Sequence, residues 1–193
     1  MGKKKTRIFV ISGPGGVGKT TLVARLFRRK AIKENFIKGT SATTRQKRPK
    51  EKEAKDYFFI SREKFLEQKK QGKFLESEKV LDNYYGTPLA LYSKANKEKK
   101  DLILCIDVKG GVNLKKNFKQ AKVVTIFISA PTKKDLYVRM SKRADEKKAM
   151  KKRIELAKKE LQFCRKYDYL VINKNLDVTL KELEDILAKE SSF

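Results

Sequence analysis

Short apolar runs alternate along this chain with longer amphipathic stretches, a pattern that predicts an α/β architecture with a mainly parallel sheet. Arg7–Ser12, Leu102–Val108, Val123–Ser129 and Tyr169–Asn173 are rich in β-branched residues and lack polar alternation. They read as strands covered on both faces. Between them the apolar spacing turns helical. Lys19–Arg29 predicts a helix with Leu22, Leu26 and Phe27 facing inward. Within Glu146–Phe163, Met150, Ile154, Ala157 and Leu161 recur at steps of three and four, and the remainder is mostly Lys, Arg and Glu. That is a helix with one wet face. Thr132 with Asp135 resembles a capping box opening Lys133–Arg143. Thr179 with Glu182 resembles a second, opening a last helix that carries Leu183, Ile186 and Leu187.

The stretch from about Thr40 to Leu91 breaks this alternation. It holds two short strand-like pieces, Tyr57–Ile60 and Phe74–Ser77, one short helix, Arg62–Gln71, and several turn signals. It predicts a small mixed lobe inserted into the α/β core.

Composition narrows the chemistry more than the fold. A chain of 193 residues, 39% of them apolar, can bury one substantial core. The net charge of +26 favours polyanions. The basic residues are spread over the whole chain, however, and no recognition motif points to a specific nucleic acid. Histidine is absent, which removes imidazole as base, metal ligand or pH switch. Cys105 and Cys164 lack any paired or zinc spacing. Cys105 reads as a small buried residue, and the pair as reduced thiols of a cytoplasmic protein. No apolar run approaches the ~18 residues that span a bilayer, so no membrane partner is expected.

Gly13-Pro14-Gly15-Gly16-Val17-Gly18-Lys19-Thr20 satisfies the phosphate-loop pattern G-x-x-x-x-G-K-[ST], and it follows a predicted strand and opens a predicted helix. Glycines let successive N–H groups curl around phosphate oxygens, and the helix start adds its positive dipole end. Lys19 would neutralise the β and γ phosphates, and the Thr20 hydroxyl would ligand Mg²⁺, partly through water, with Thr21 beside it. Asp107, closing an apolar run, can serve the Mg²⁺ water shell or the phosphoryl acceptor; equally, a strand-end Asp before Gly110–Gly111 can be a turn or cap residue.

Further motifs follow in order: Ser41-Ala42-Thr43-Thr44-Arg45-Gln46-Lys47-Arg48-Pro49, Lys55-Asp56-Tyr57-Phe58-Phe59, Gly72-Lys73-Phe74-Leu75-Glu76, Asn83-Tyr84-Tyr85-Gly86-Thr87-Pro88, Ile106-Asp107-Val108-x-Gly110 and Tyr167-Asp168-Tyr169…Asn173. This ordered set resembles the guanylate kinase family over nearly the whole chain. The resemblance implies a P-loop NTPase-type fold with a five-stranded sheet, divided into a core (1–39, 92–136 and 156–193), a GMP-binding lobe (40–91) and a helical lid (137–155). It implies Mg²⁺-dependent transfer of the ATP γ-phosphoryl group to GMP, and to dGMP, by a monomer or homodimer.

By the same resemblance Arg45, Arg48, Tyr57 and Tyr85 grip the GMP phosphate, and Glu76, Ser41 and Thr87 read the guanine, with Asp107 beside the acceptor. Gly13 to Thr21, Arg139 and Asn173 fall to ATP, while Arg143 and Arg153 neutralise charge on the transferring group. Two guanidinium forks suit a dianionic phosphate. One carboxylate can accept from both guanine N1–H and N2–H₂, whereas adenine presents a lone pair there. Without the family pattern the tyrosines would read as core aromatics, Glu76 as an exposed glutamate and the lid arginines as a solvated face. The chain departs from the pattern at Cys105, where the family commonly carries an acid, and at Lys109, where it carries Gln. The lid is also about one residue short. A rival reading is a catalytically weak guanylate-kinase-like binding module; such modules usually have a degraded phosphate loop, and this one is intact.

Overall fold

A computed structural model describes residues 5–49, 51–141 and 147–191. Its elements run β1 (Ile8–Ser12), α1 (Lys19–Leu26), α2 (Lys30–Asn35), β2 (Phe36–Lys38), β3 (Ala42–Thr43), β4 (Phe58–Phe59), α3 (Arg62–Lys70), β5 (Phe74–Val80), β6 (Asn83–Pro88), α4 (Leu89–Lys97), β7 (Asp101–Cys105), α5 (Val108–Asn117), β8 (Val123–Ser129), α6 (Lys133–Ser141), α7 (Lys147–Leu161), β9 (Tyr169–Ile172) and α8 (Leu176–Glu190).

β2, β7, β1, β8 and β9 form a five-stranded sheet in that order, and every neighbouring pair is parallel. β1 is buried along its whole length, with alternate residues committed to opposite layers. Phe9 and Ile11 join the cluster that holds Leu22 and Leu26 of α1 and Leu183 and Leu187 of α8. Ile8 and Val10 join Ala95 of α4 and Leu114 of α5. Helices therefore cover both faces, as the apolar runs require. β9 departs from the expectation of burial on both faces. It is the sheet edge, and Leu170 and Ile172 are exposed while Val171 is buried.

β4, β3, β6 and β5 form a second sheet from the segment between β2 and β7. Only β3 and β4 run parallel in it. Phe65 of α3 is fully buried, its ring stacked at 4.6 Å on Phe74 and 5.4 Å on Tyr84. A side chain at Gly86 would start 3.0 Å from both Phe65 and Phe74, so glycine is what lets the rings reach the sheet.

Several boundaries differ from expectation for identifiable reasons. The last helix does not open with a Thr179–Glu182 box. It starts at Leu176, because the Asn175 carboxamide accepts from Asp177 N at 2.9 Å and Val178 N at 3.2 Å. Thr179 lies inside the first turn, its hydroxyl 2.7 Å from Asn175 O. The Thr132 cap is present, accepting from Asp135 N at 3.0 Å. α1 stops at Leu26 as Arg28 N and Arg29 N turn to acceptors three residues back, and α2 and β2 follow unannounced. β7 stops at Cys105, which is partly rather than fully buried. Asp107 then caps α5, a helix hidden in the sequence by Gly110 and Gly111 in its first turn. Those glycines let α5 lie close to the sheet: a Cβ at Gly111 would stand 2.4 Å from the Tyr167 hydroxyl and 3.0 Å from Val10.

Gly111→Val should therefore overpack a buried joint and cost about 1–3 kcal/mol, read as a lowered midpoint in chemical denaturation; an unchanged midpoint would mean that α5 does not need this close approach.

Candidate active site

The phosphate loop leaves β1 in the middle of the sheet, where β7 and β8 flank it and the strand order reverses; the carboxyl ends of parallel strands meet ligands at such a point. Gly13 has φ +144° and a Cβ there would lie 2.1 Å from Ile128 O; Gly18, at φ +94°, opens α1 without any side-chain cap. The N–H groups of Lys19, Thr20 and Thr21 consequently lack an intrahelical or capping acceptor among the described residues, the situation that suits an anion. Lys19 Nζ folds over the loop and donates to Gly13 O at 2.5 Å and Pro14 O at 3.0 Å. Thr20 and Thr21 are exposed beside it.

Asn173 sits behind this loop. Its Nδ2 donates to Val17 O at 2.8 Å, and its backbone O accepts from Arg139 at 3.0 Å. One buried carboxamide thus ties the loop to β9, and its carbonyl ties both to α6. Arg153 is half-buried on α7. Arg143 lies outside the described residues.

Across from the loop, β5 and β6 place Glu76 opposite Thr87 in register. Glu76 is 8% exposed. Its Oε1 accepts from the Thr87 hydroxyl at 2.7 Å, and Ser41 Oγ lies 3.4 Å from that same hydroxyl. Glu76 Oε2 is buried and accepts from none of the described residues. Asp107 presents a similar picture. Its Oδ1 caps α5 through Lys109 N at 2.9 Å and Gly110 N at 3.1 Å, while its Oδ2 is buried and unpartnered among the described residues. Both unpartnered oxygens meet at Gly110: a Cβ there would be 2.6 Å from Glu76 Oε2 and 3.0 Å from Asp107 Oδ2. The cap reading of Asp107 therefore holds for Oδ1, which leaves Oδ2 over.

Burial pushes the Glu76 carboxyl up to about 8; the Thr87 hydrogen bond opposes the shift, and the neighbouring Asp107 and Glu78 charges add to it. Burial also raises Asp107. Each carboxyl keeps one oxygen without a donor among the described residues, in surroundings that disfavour its charge.

The third group lies on β3, the loop after it, β4 and β6. Arg45 stands over the Tyr57 ring at 5.5 Å and the Phe59 ring at 5.8 Å, and the Tyr57 and Tyr85 rings meet edge-on at 6.0 Å. Arg48 is exposed. Burial pushes the Tyr57 hydroxyl well above its ordinary range, so it stays a donor. The sequence reading missed two carboxylates here. Glu51 pairs with Arg45 at 2.8 Å; its place three residues after Arg48 was the available signal. Glu160, half-buried on α7, is raised to about 7 by burial, with Lys19 acting against the shift and Asp107 adding to it. It reads as one charge among many on a wet helix face, and only the fold brings it within reach of the phosphate loop.

A family model described as guanylate kinase matches residues 5–190. The guanylate kinase of Thermotoga maritima is 40% identical over 187 residues, covering 96% of this chain and 88% of the relative. That of Mycoplasma genitalium is 43% identical over 185 residues, covering 95% and 76% respectively. The crystal structure of guanylate kinase from Anaplasma phagocytophilum superposes with a TM-score of 0.80 at 30% identity, covering 99% of this chain and 89% of that one. Among the described residues no helix is long and apolar enough to cross a membrane.

A carboxyl raised from 4.5 to about 8 holds its proton in the folded state after the unfolded chain has lost it, so stability falls as pH rises through that window. Glu76→Gln removes the penalty. Its melting temperature should match the parent near pH 5 and exceed it increasingly towards about pH 8. A difference independent of pH would refute the shifted ionisation.

Proposed function

The chain belongs to the guanylate kinase family, and from that premise we propose that it transfers the γ-phosphoryl group of ATP to GMP, releasing ADP and GDP. The observation that carries the choice of acceptor is the pair of buried oxygens at Gly110, Glu76 Oε2 and Asp107 Oδ2, unpartnered among the described residues. Such oxygens call for a ligand edge with adjacent donors, and guanine N1–H and N2–H₂ are that edge. The Ser41 and Thr87 hydroxyls line the same position.

The remaining roles follow from charge and geometry. Arg45, Arg48, Tyr57 and Tyr85 hold the GMP phosphate. The loop Gly13–Thr21 wraps the ATP phosphates, and Lys19 exchanges its two carbonyl acceptors for β and γ oxygens. Arg139 and Asn173 brace that loop beside the nucleotide. Arg143 and Arg153, carried by the lid segment, offset charge on the group in flight. A GMP phosphate oxygen bonds to the γ-phosphorus as the bond from the β–γ bridging oxygen to that phosphorus breaks, so no protein nucleophile is needed. Closing residues 40–91 and 137–155 over the core (1–39, 92–136 and 156–193) would align the two nucleotides and exclude water.

The residues present fit a Mg²⁺ accompanying ATP. The exposed Thr20 hydroxyl opens α1, and the described residues hold no cluster of three acidic or sulfur ligands, as suits an ion bound chiefly through phosphates and water. Thr20 would hold it, and when bound it offsets charge on the β and γ phosphates. Cys105, which replaces the family's acid, leaves Asp107 as the carboxylate at this strand end. ATP and GMP are the partners of this reading, with no specific nucleic acid, and two free thiols suit a cytoplasmic setting.

A coupled ADP-release assay with ATP and Mg²⁺ tests the reading: GMP should turn over and AMP and UMP should not. Turnover with AMP but none with GMP would overturn it. Glu76→Gln should raise KM for GMP by about 100-fold or more while barely moving KM for ATP; equal effects on both would make Glu76 structural. Lys19→Ala should lower kcat on the order of 10³-fold with the fold intact, and an unfolded variant would withdraw its catalytic role.

A further inference from the structure

Glu51 belongs to none of the roles above, yet it is bound to the centre of the phosphate clamp. The Arg45 and Glu51 side chains are 15% and 17% exposed. Arg45 Nη1 donates to Glu51 Oε2 at 3.0 Å and Nη2 donates to Oε1 at 2.8 Å, a fork on a fork. The outer Nη1–H donates to Gln46 O at 2.7 Å. A guanidinium has five N–H groups, so three are engaged. What is left is Nε–H and the second Nη2–H, side by side along the opposite edge of the plane. That plane is held over the Tyr57 and Phe59 rings, with the Tyr85 hydroxyl close beside it. Glu51 also organises the second arginine: Arg48 N donates to Glu51 Oε2 at 2.9 Å, and Glu51 N donates back to Arg48 O at 3.0 Å. Burial works against its charge, but the hydrogen bonds from Arg45 and Arg48 N keep its carboxyl below the usual range.

We propose that Glu51 is the positioning residue of the clamp: by occupying the end fork of Arg45 and the main chain of Arg48, it presents one defined edge of Arg45 to the phosphate of GMP. A free arginine could meet the phosphate with either fork and would have to be ordered on binding. Here that ordering is done beforehand by a carboxylate that does not touch the substrate. The inference rests on the reading of Arg45 as part of the GMP phosphate site.

The test uses full-length wild type, Glu51→Gln and Glu51→Asp, with GMP as substrate at saturating ATP and Mg²⁺. Guanosine, which lacks the phosphate, is the competing inhibitor. Glu51→Gln should raise KM for GMP about tenfold or more, the scale of a charge-assisted hydrogen bond. It should leave KM for ATP and the guanosine inhibition constant unchanged. Glu51→Asp keeps the charge on a shorter arm and should recover part of the loss; should the Gln variant not fold, the Asp variant is expected to show the same split at smaller size. An unchanged KM for GMP, or a parallel loss for GMP and guanosine, overturns the proposal. If wild type itself does not use GMP, the substrate reading falls and takes this role with it. If wild type does and the variants match it, only the role of Glu51 falls.

Discussion

Two carboxylate oxygens buried without donors among the described residues, Glu76 Oε2 and Asp107 Oδ2, set the constraint on which the rest of the site depends. Leaving such acceptors dry costs free energy on the order of 1–3 kcal/mol each, more when they are charged. The protein retains them at the junction of its two sheets. Gly110 keeps the space between them open, since any side chain there would start 2.6 Å from Glu76 Oε2. Thr87 satisfies one oxygen of Glu76 and the α5 N-terminus satisfies one of Asp107. One lone edge on each remains, and on the proposed reading a guanine supplies what is missing. On that reading the site is less stable than it could be in order to discriminate between purines.

Around that point the proposed function requires two anions to be held, and the architecture offers a different means for each. The phosphate loop uses backbone: glycines at positive φ, an uncapped helix start, and a carboxamide, Asn173, that holds Val17 from behind. The proposed clamp uses side chains: Arg45 packed against Tyr57 and Phe59 and pinned by Glu51. Arg139 joins α6 to Asn173 through a single hydrogen bond, so the helix that leads into the proposed lid segment is tied to the loop that would carry ATP.

Local chemistry made much of this legible in the residues themselves. Buried parallel strands announce themselves, and β8 matches its expected bounds, Val123–Ser129. The phosphate loop is a local motif with fixed spacing, and the ordered motifs around Arg45, Glu76 and Asp107 carried the family resemblance. What stayed hidden depends on contacts distant in the chain. α5 looks like a glycine turn until Tyr167 and Val10 are seen pressed against Gly111. The start of α8 turned on whether Asn175 or Thr179 takes the cap. β2 and β3 are three and two residues long and gain their identity only from β7 and β6. Glu51 and Glu160 are two glutamates in a chain with 49 Lys and Arg, and nothing short of the fold distinguishes them from solvated charge.

The most direct measurement is a crystal structure of the protein with GMP bound. The account predicts guanine N1 and N2 within hydrogen-bond distance of the Glu76 carboxylate, with the base lying against Gly110 and the phosphate on Arg45 and Arg48. A guanine ring lodged elsewhere, with Glu76 Oε2 still lacking a donor, would contradict it.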